Sequence, residues 1–107
     1  MTPEMLKGHL DGLVLAILEP EPQHGFGVIE QLKDNSGGTL DLPTGTIYPA
    51  LHRLERTGLV TATWTVHNGH RRRVYALTTL GRAKLATYRA QWRGFADTIE
   101  RIVQAPA

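Results

Sequence analysis

The 107 residues include no cysteine, which excludes disulfides, a thiolate nucleophile and cysteine-ligated zinc. Apolar residues make up 41% of the chain, enough for one globular domain with a single core. Net charge is only +2 but unevenly spread: residues 1–41 sum to −5, residues 42–77 to +4 and residues 78–107 to +3. Such asymmetry is the footprint of a surface that faces phosphates.

Leu6, Leu10, Leu13, Val14, Ile17 and Leu18 recur at helical spacing and predict a first helix over about residues 5–19. Glu19-Pro20-Glu21-Pro22 stops it, because the residue before a proline avoids helical backbone. A second helix of about three turns starts near Gly25, presents Phe26, Ile29 and Leu32, and ends at Asn35-Ser36-Gly37-Gly38. Leu40-Asp41-Leu42-Pro43 is an extended connector, with Asp41 and Thr44 both suited to cap a third helix.

In the third helix Ile47, Leu51 and Leu54 form one apolar stripe, and Gly58 closes the element. The other face carries Thr46, Tyr48, His52, Arg53 and Arg56, all hydrogen-bond donors, with Glu55 the one carboxylate nearby. That composition suits an anion, although an ordinary solvated face would share it. Pro49 falls just past the first turn and predicts a local distortion.

After Gly58 the period changes to two. Val60, Ala62, Trp64 and Val66 alternate with polar residues, which predicts a strand with one buried face. Asn68-Gly69 is a hairpin signal of type I′, and the returning strand runs from His70 to Leu77. A two-residue turn pairs His67 with His70, Trp64 with Arg73, Ala62 with Tyr75 and Val60 with Leu77. Arg71 and Arg73 then share a face with Trp64, and Trp64 with Arg73 forms a cation–π pair worth about 0.5–1 kcal/mol if exposed. Three helices and a basic-tipped hairpin make a winged helix-turn-helix.

Thr78 is the expected N-cap of a last helix that continues to about Val103. Leu85, Tyr88, Trp92, Phe95, Ile99 and Ile102 step by three and four, a heptad seam on a helix about 37 Å long. Such a stripe can be intramolecular core. Here the other elements already supply a core, so the seam is expected to pair with a second copy.

Three runs, in order, resemble the signature of the PadR-like transcriptional regulators. They are His24-Gly25-Phe26-Gly27-Val28-Ile29, then Gly45-Thr46-Ile47-Tyr48-Pro49-Ala50-Leu51 with Arg53-Leu54-Glu55 and Gly58-Leu59-Val60, then Arg72-Arg73-Val74-Tyr75-Ala76-Leu77-Thr78-Thr79-Leu80-Gly81. The likeness covers the chain from about Leu6 to the end of the last helix, and resembles the compact subfamily with a single terminal helix. Departures are small: Phe26 stands where Tyr is usual, and Pro43-Thr44 where the family more often has Ser-Pro, which alters how the third helix is capped.

The resemblance implies a mainly α fold with a small β-hairpin: residues 1–78 a winged helix-turn-helix DNA-binding domain, residues 79–107 a C-terminal dimerisation helix. It implies a homodimeric repressor of a pseudo-palindromic operator on double-stranded DNA. Gly45, Thr46 and Tyr48 then lie at the DNA-facing start of the third helix, with His52 and Arg53 beside them as base readers. Tyr48 can equally be a core aromatic. Arg71, Arg72 and Arg73 repel one another, and a phosphate backbone beside them would relieve that. Some relatives bind flat aromatic compounds at the dimer interface, which makes Tyr88, Trp92 and Phe95 candidates for a small aromatic effector, with dimer packing the plainer role.

Other classes fare worse. His9, His24, His52, His67 and His70 form no metal-ligand spacing, and no acid, base and nucleophile converge, so neither metal, cofactor nor enzymatic activity is expected. His24-Gly25 instead starts the second helix, where backbone N–H groups could hold a phosphate. A winged helix used only for protein–protein contact would carry an apolar third helix, unlike Thr46, His52, Arg53 and Arg56. No apolar run reaches the ~20 residues of a membrane span and Met1-Thr2-Pro3-Glu4 is not a signal peptide, so no membrane partner and a cytoplasmic location are expected.

Overall fold

Leu10–Leu18 is apolar almost all round, so it can only sit in the middle of the molecule, and the other elements of the computed structural model wrap it. The structure describes residues 2–104. In chain order they form α1 (Pro3–Leu6), α2 (Leu10–Leu18), β1 (Gln23–His24), α3 (Gly25–Asn35), α4 (Thr44–Arg56), β2 (Val60–His67), β3 (His70–Leu77) and α5 (Thr79–Val103). Of the terminal segment expected over 79–107, residues 105–107 lie outside the described residues.

The expected first helix is broken in two. Gly8 takes φ +84°, a left-handed conformation that glycine adopts freely, and the chain turns a corner there between α1 and α2. Thr2 caps α1 by accepting a hydrogen bond from the Met5 N–H. In α3 the expected core face is also revised. Gly25, Gly27, Val28 and Leu32 are buried, whereas Phe26 is 57% exposed. Helical spacing alone could not choose between faces when glycines flank the one large aromatic.

The hairpin has the register expected from the sequence, from Val60 opposite Leu77 to His67 opposite His70. Asn68 and Gly69 both take positive φ, as a type I′ turn requires. Its expected buried face exists only at the base, however: Val60 is buried and Ala62 half-buried, but Trp64 and Val66 project into solvent. The two-residue strand β1, not read from the sequence, adds to the other edge of β3 and gives the sheet order β1-β3-β2.

Twelve side chains from α2, α3, α4, both long strands and α5 close the core around Leu15, Leu18, Ile47, Leu51, Leu54 and Tyr75. Leu85, expected in a dimer seam, is only 1% exposed and belongs to this core. Beyond it α5 leaves the core, which draws the molecule out to 62 Å in its longest dimension.

The start of α5 is fixed by Thr78. Its hydroxyl accepts from the Gly81 N–H at 3.0 Å and donates to the Gly58 carbonyl at 2.7 Å. A Cβ at Gly81 would collide with the carbonyl of Leu59. Gly81→Ala is therefore expected to destabilise the fold by about 1–3 kcal/mol, since backbone must move to make room. Thermal unfolding checks this, and an unchanged midpoint would contradict the close approach.

Candidate nucleic-acid interface

Helix α4 buries Ile47, Ala50, Leu51 and Leu54. At 3.6 residues per turn the face opposite them is the stripe Gly45, Pro49, His52 and Arg56, and all four are exposed. Thr46 and Tyr48 lie on the flanks and are half-buried. Pro49 costs the helix one bond to the Gly45 carbonyl, but that acceptor faces outward, where water can meet it, and α4 runs on to Arg56. Gly45 has open space about its Cα, so internal packing does not require a glycine there. The helix is capped by Pro43, not by Thr44 or Asp41, and no side chain bonds its first turn. The Thr46 and Ile47 N–H groups donate back to the Pro43 carbonyl at 3.0 and 3.2 Å, which leaves the Thr44 and Gly45 N–H groups as the unpaired ones of the first turn among the described residues.

Tyr48 has a structural task as well. Its ring covers Gly25, where a Cβ would strike it, and it meets Phe26 edge-on at 6.2 Å. This pins the start of α4 to the start of α3. His24 caps α3 by accepting from the Gly27 N–H at 3.4 Å, so all four residues of the His24–Gly27 run serve this junction.

Across a cleft of about 360 Å³ from Tyr48 and His52 stands the wing, with Trp64, Arg72 and Arg73 on the facing wall. The three adjacent arginines are partly satisfied within the chain. Arg71 and Arg73 both lie over the Trp64 ring, at 4.7 and 5.5 Å from its centroid. Trp64 is 57% exposed, so each contact is worth about 0.5–1 kcal/mol. Arg73 also donates to Glu55 at 2.8 Å, tying the wing to α4. The Nε–H groups of Arg72 and Arg73 are desolvated without a protein partner.

Arg53 is placed differently from its expected role. It lies on the flank of α4 and donates to Asp11 of α2, from Nη2 to Oδ1 at 2.6 Å and from Nε to Oδ2 at 3.5 Å. Asp11 and Glu55 were missed as partners because nothing local in a sequence announces a contact 42 or 18 residues away. Arg56 could have been singled out by projecting α4 as a helical wheel.

A second cluster forms where α5 passes α2. A Cβ at Gly12 would come within 2.6 Å of the Tyr88 ring, so the ring lies flush on the helix. The Tyr88 hydroxyl is 2.9 Å from His9 Nδ1, and His9 meets Trp92 edge-on at 5.6 Å. Trp92 and Phe95 follow at 5.9 Å, and the group frames a small pocket of about 200 Å³. The three expected effector residues thus come together, joined by His9, which the sequence did not single out. Trp92, Phe95, Ile99 and Ile102 all remain exposed along α5.

A helical core that presents one helix and an adjoining β-hairpin wing is a winged helix-turn-helix DNA-binding domain. Residues 14–87 match the transcriptional regulator PadR-like family, and the chain belongs to that family. It is similar to a PadR-like transcription factor of Bacteroides fragilis, 31% identical, with 94% of this chain and 95% of that one covered at a TM-score of 0.79. A PadR-like regulator of Bacillus cereus is 27% identical and aligns over 96% and 99% of the two chains at a TM-score of 0.84. Over 41 residues, 38% of each chain, the sequence is 54% identical to a transcriptional regulator of Mycobacterium tuberculosis. The protein is a DNA-binding transcriptional regulator, and regulators of this family are not enzymes. Among the described residues no helix is long and apolar enough to cross a membrane.

The wing leaves a mark on His24. Burial of its ring, and after it the positive charge of Arg72, hold His24 below the ordinary histidine value of 6.5. A depressed histidine favours the neutral form in the fold, so its protonation opposes folding as pH drops below the ordinary range. In an NMR titration His24 is expected to titrate below a free histidine, and Arg72→Ala to move it part of the way back. A midpoint indifferent to Arg72 would mean the wing stands away from α3.

Proposed function

We propose that this regulator is a cytoplasmic homodimeric repressor that binds a pseudo-palindromic operator and releases it on binding a planar aromatic compound. The observation that carries the reading is the exposed stripe of α4 beside an arginine-bearing wing. In this reading residues 1–78 form the DNA-binding unit. The start of α4 takes a phosphate on the Gly45 N–H and the Thr46 hydroxyl, His52 lies toward the bases, and Arg71, Arg72 and Arg73 supply phosphate contacts. Tyr48 lines the cleft between them while bracing α3. Helix α5 is the dimerisation element, supported by Trp92, Phe95, Ile99 and Ile102, which the described residues leave exposed. Tyr88 and Leu85 anchor α5 to its own chain, so they set its direction and do not join the seam as core members.

Dimerisation and DNA binding can be tested together. Phe95→Asp is expected to sediment as a monomer at micromolar concentration, with its thermal midpoint little changed, because Phe95 lies outside the core. Its affinity for duplex DNA should fall, and the slope of log affinity against log salt should drop to about half, as one subunit neutralises half the phosphates. A wild-type protein that is itself monomeric would remove the basis for the two-fold reading.

The effector is tested by fluorescence. Trp64→Phe leaves Trp92 as the one indole in the chain. Planar aromatic compounds are expected to quench its emission in a saturable way, and the same compounds to weaken DNA binding. Quenching with unchanged DNA affinity would leave a pocket without a switch, and no quenching by a broad aromatic panel would return Trp92 to dimer packing.

A further inference from the structure

Helix α4 carries two arginines in its last turns, and the fold treats them in opposite ways. Arg53 points about 70° away from the direction opposite the core, and Arg56 about 10° away. The Nε/Nη2 edge of the Arg53 fork is occupied by Asp11, at 2.6 and 3.5 Å. Asp11 stands in the first turn of α2, where the helix end favours its charge further. A DNA acceptor could take that edge only by displacing a well-placed carboxylate. Arg56 is exposed, and none of the ion pairs among the described residues engages it.

The shape of the exposed stripe bears on what Arg56 would meet. From the N-terminal end its side chains grow: none at Gly45, a ring flat on the helix at Pro49, an imidazole at His52, and the longest at Arg56. Residues of a recognition helix contact base edges first at its N-terminal end, while the C-terminal end tilts away from the groove floor. About 16 Å separates the two ends of the stripe along the axis. A glycine lets the near end approach closely, and a long side chain spans the gap at the far end. Side chains at the centre of the outward face meet bases, whereas those on the flanks meet the strands that wall the groove.

We propose that Arg56 is the base-reading arginine of α4, taking a guanine through its open fork, and that Arg53 is a brace between α4 and α2. This rests on α4 being the DNA-recognition helix. The free fork offers two parallel N–H groups to the O6 and N7 acceptors of guanine, a bidentate fit that a phosphate does not need and other bases do not offer. Lysine in place of Arg53 would still reach Asp11, so the brace tolerates that exchange. Lysine or alanine in place of Arg56 would not reproduce the fork.

The test is selection from a random duplex library with the wild-type protein, Arg56→Ala and Arg53→Lys, followed by affinities for the selected site and an unrelated duplex. The wild-type protein is expected to enrich one guanine at symmetry-related positions of both half-sites. Arg56→Ala should lose that preference, a fall of about 5- to 150-fold in discrimination at the position, with a much smaller change on the unrelated duplex. Arg53→Lys should select the same site as the wild type. Placing 7-deazaguanine at the position should weaken wild-type binding and leave Arg56→Ala unaffected, which reads the same contact without any change of protein. Equal weakening by Arg56→Ala on every sequence would make Arg56 a phosphate contact and overturn the proposal. So would loss of the guanine preference in Arg53→Lys with an unchanged profile for Arg56→Ala. If the wild-type protein bound no duplex, α4 would not be a recognition helix and both readings would fall together.

Discussion

One side chain fixes how three parts of this molecule meet. The Thr78 hydroxyl caps α5 through the Gly81 N–H and closes α4 by donating to the Gly58 carbonyl, while its own N–H donates to the Leu59 carbonyl at 3.1 Å. Leu59 and Gly58 return the last carbonyls of α4 in a Schellman pattern, bonding Leu54 and Glu55 at 2.9 and 3.1 Å. Helix α4, the base of the wing and the long terminal helix therefore leave one small knot of backbone. Gly81 is needed because Leu59 passes where a side chain would stand. Without that knot, the angle between α4 and α5 would be set only by side-chain packing.

Much of this was legible from local chemistry. The hairpin register followed from a two-residue Asn-Gly turn, which leaves no freedom in pairing, and the Thr78 cap followed from a hydroxyl before a helical period. What failed was each inference that needed to know what stood opposite. Phe26 and Trp64 sit at positions that periodicity assigns to a core, yet both are 57% exposed. Leu85 fits the heptad seam by spacing, but the seam crosses from core to solvent over the next two turns, through half-buried Tyr88 to exposed Trp92. The Gly8 corner was hidden because apolar spacing continues through it. In the candidate site the sequence could not tell two neighbouring arginines apart: Arg53 and Arg56 are both exposed cations, and only tertiary structure shows that one meets Asp11.

Charge on the side shared by α4 and the wing is held by a balance of partners. Glu55 draws Arg73 toward α4, and Trp64 collects Arg71 and Arg73 above its ring. These contacts order the wing at modest cost, since exposed ion pairs and cation–π contacts each contribute at most about 1 kcal/mol. They are weak enough to yield to phosphates and strong enough to keep a narrow hairpin from wandering. A wing that carried three unpartnered arginines would spread its conformations and lose more entropy on docking.

Helix α2 is where the two ends of the molecule are joined. One side of it holds α4, through the core and through Asp11 to Arg53. The other side holds α5, through Tyr88 on Gly12, His9 on Tyr88, and the paired bonds of Glu19 to Arg89, both 2.9 Å. His9 and Asp11 are two residues apart and point to opposite sides, as helix geometry requires. Anything that altered how α5 lies on α2 would therefore shift α4 as a rigid partner of the same helix. In the proposed dimer that shift would be doubled by symmetry. The two recognition helices must stay about 34 Å apart to enter successive major grooves, so a small rotation at the α2–α5 contact is enough to cost binding. An effector seated by Trp92 would need no path through the core: it would act at the α2–α5 contact, which together with the Thr78 knot sets the angle.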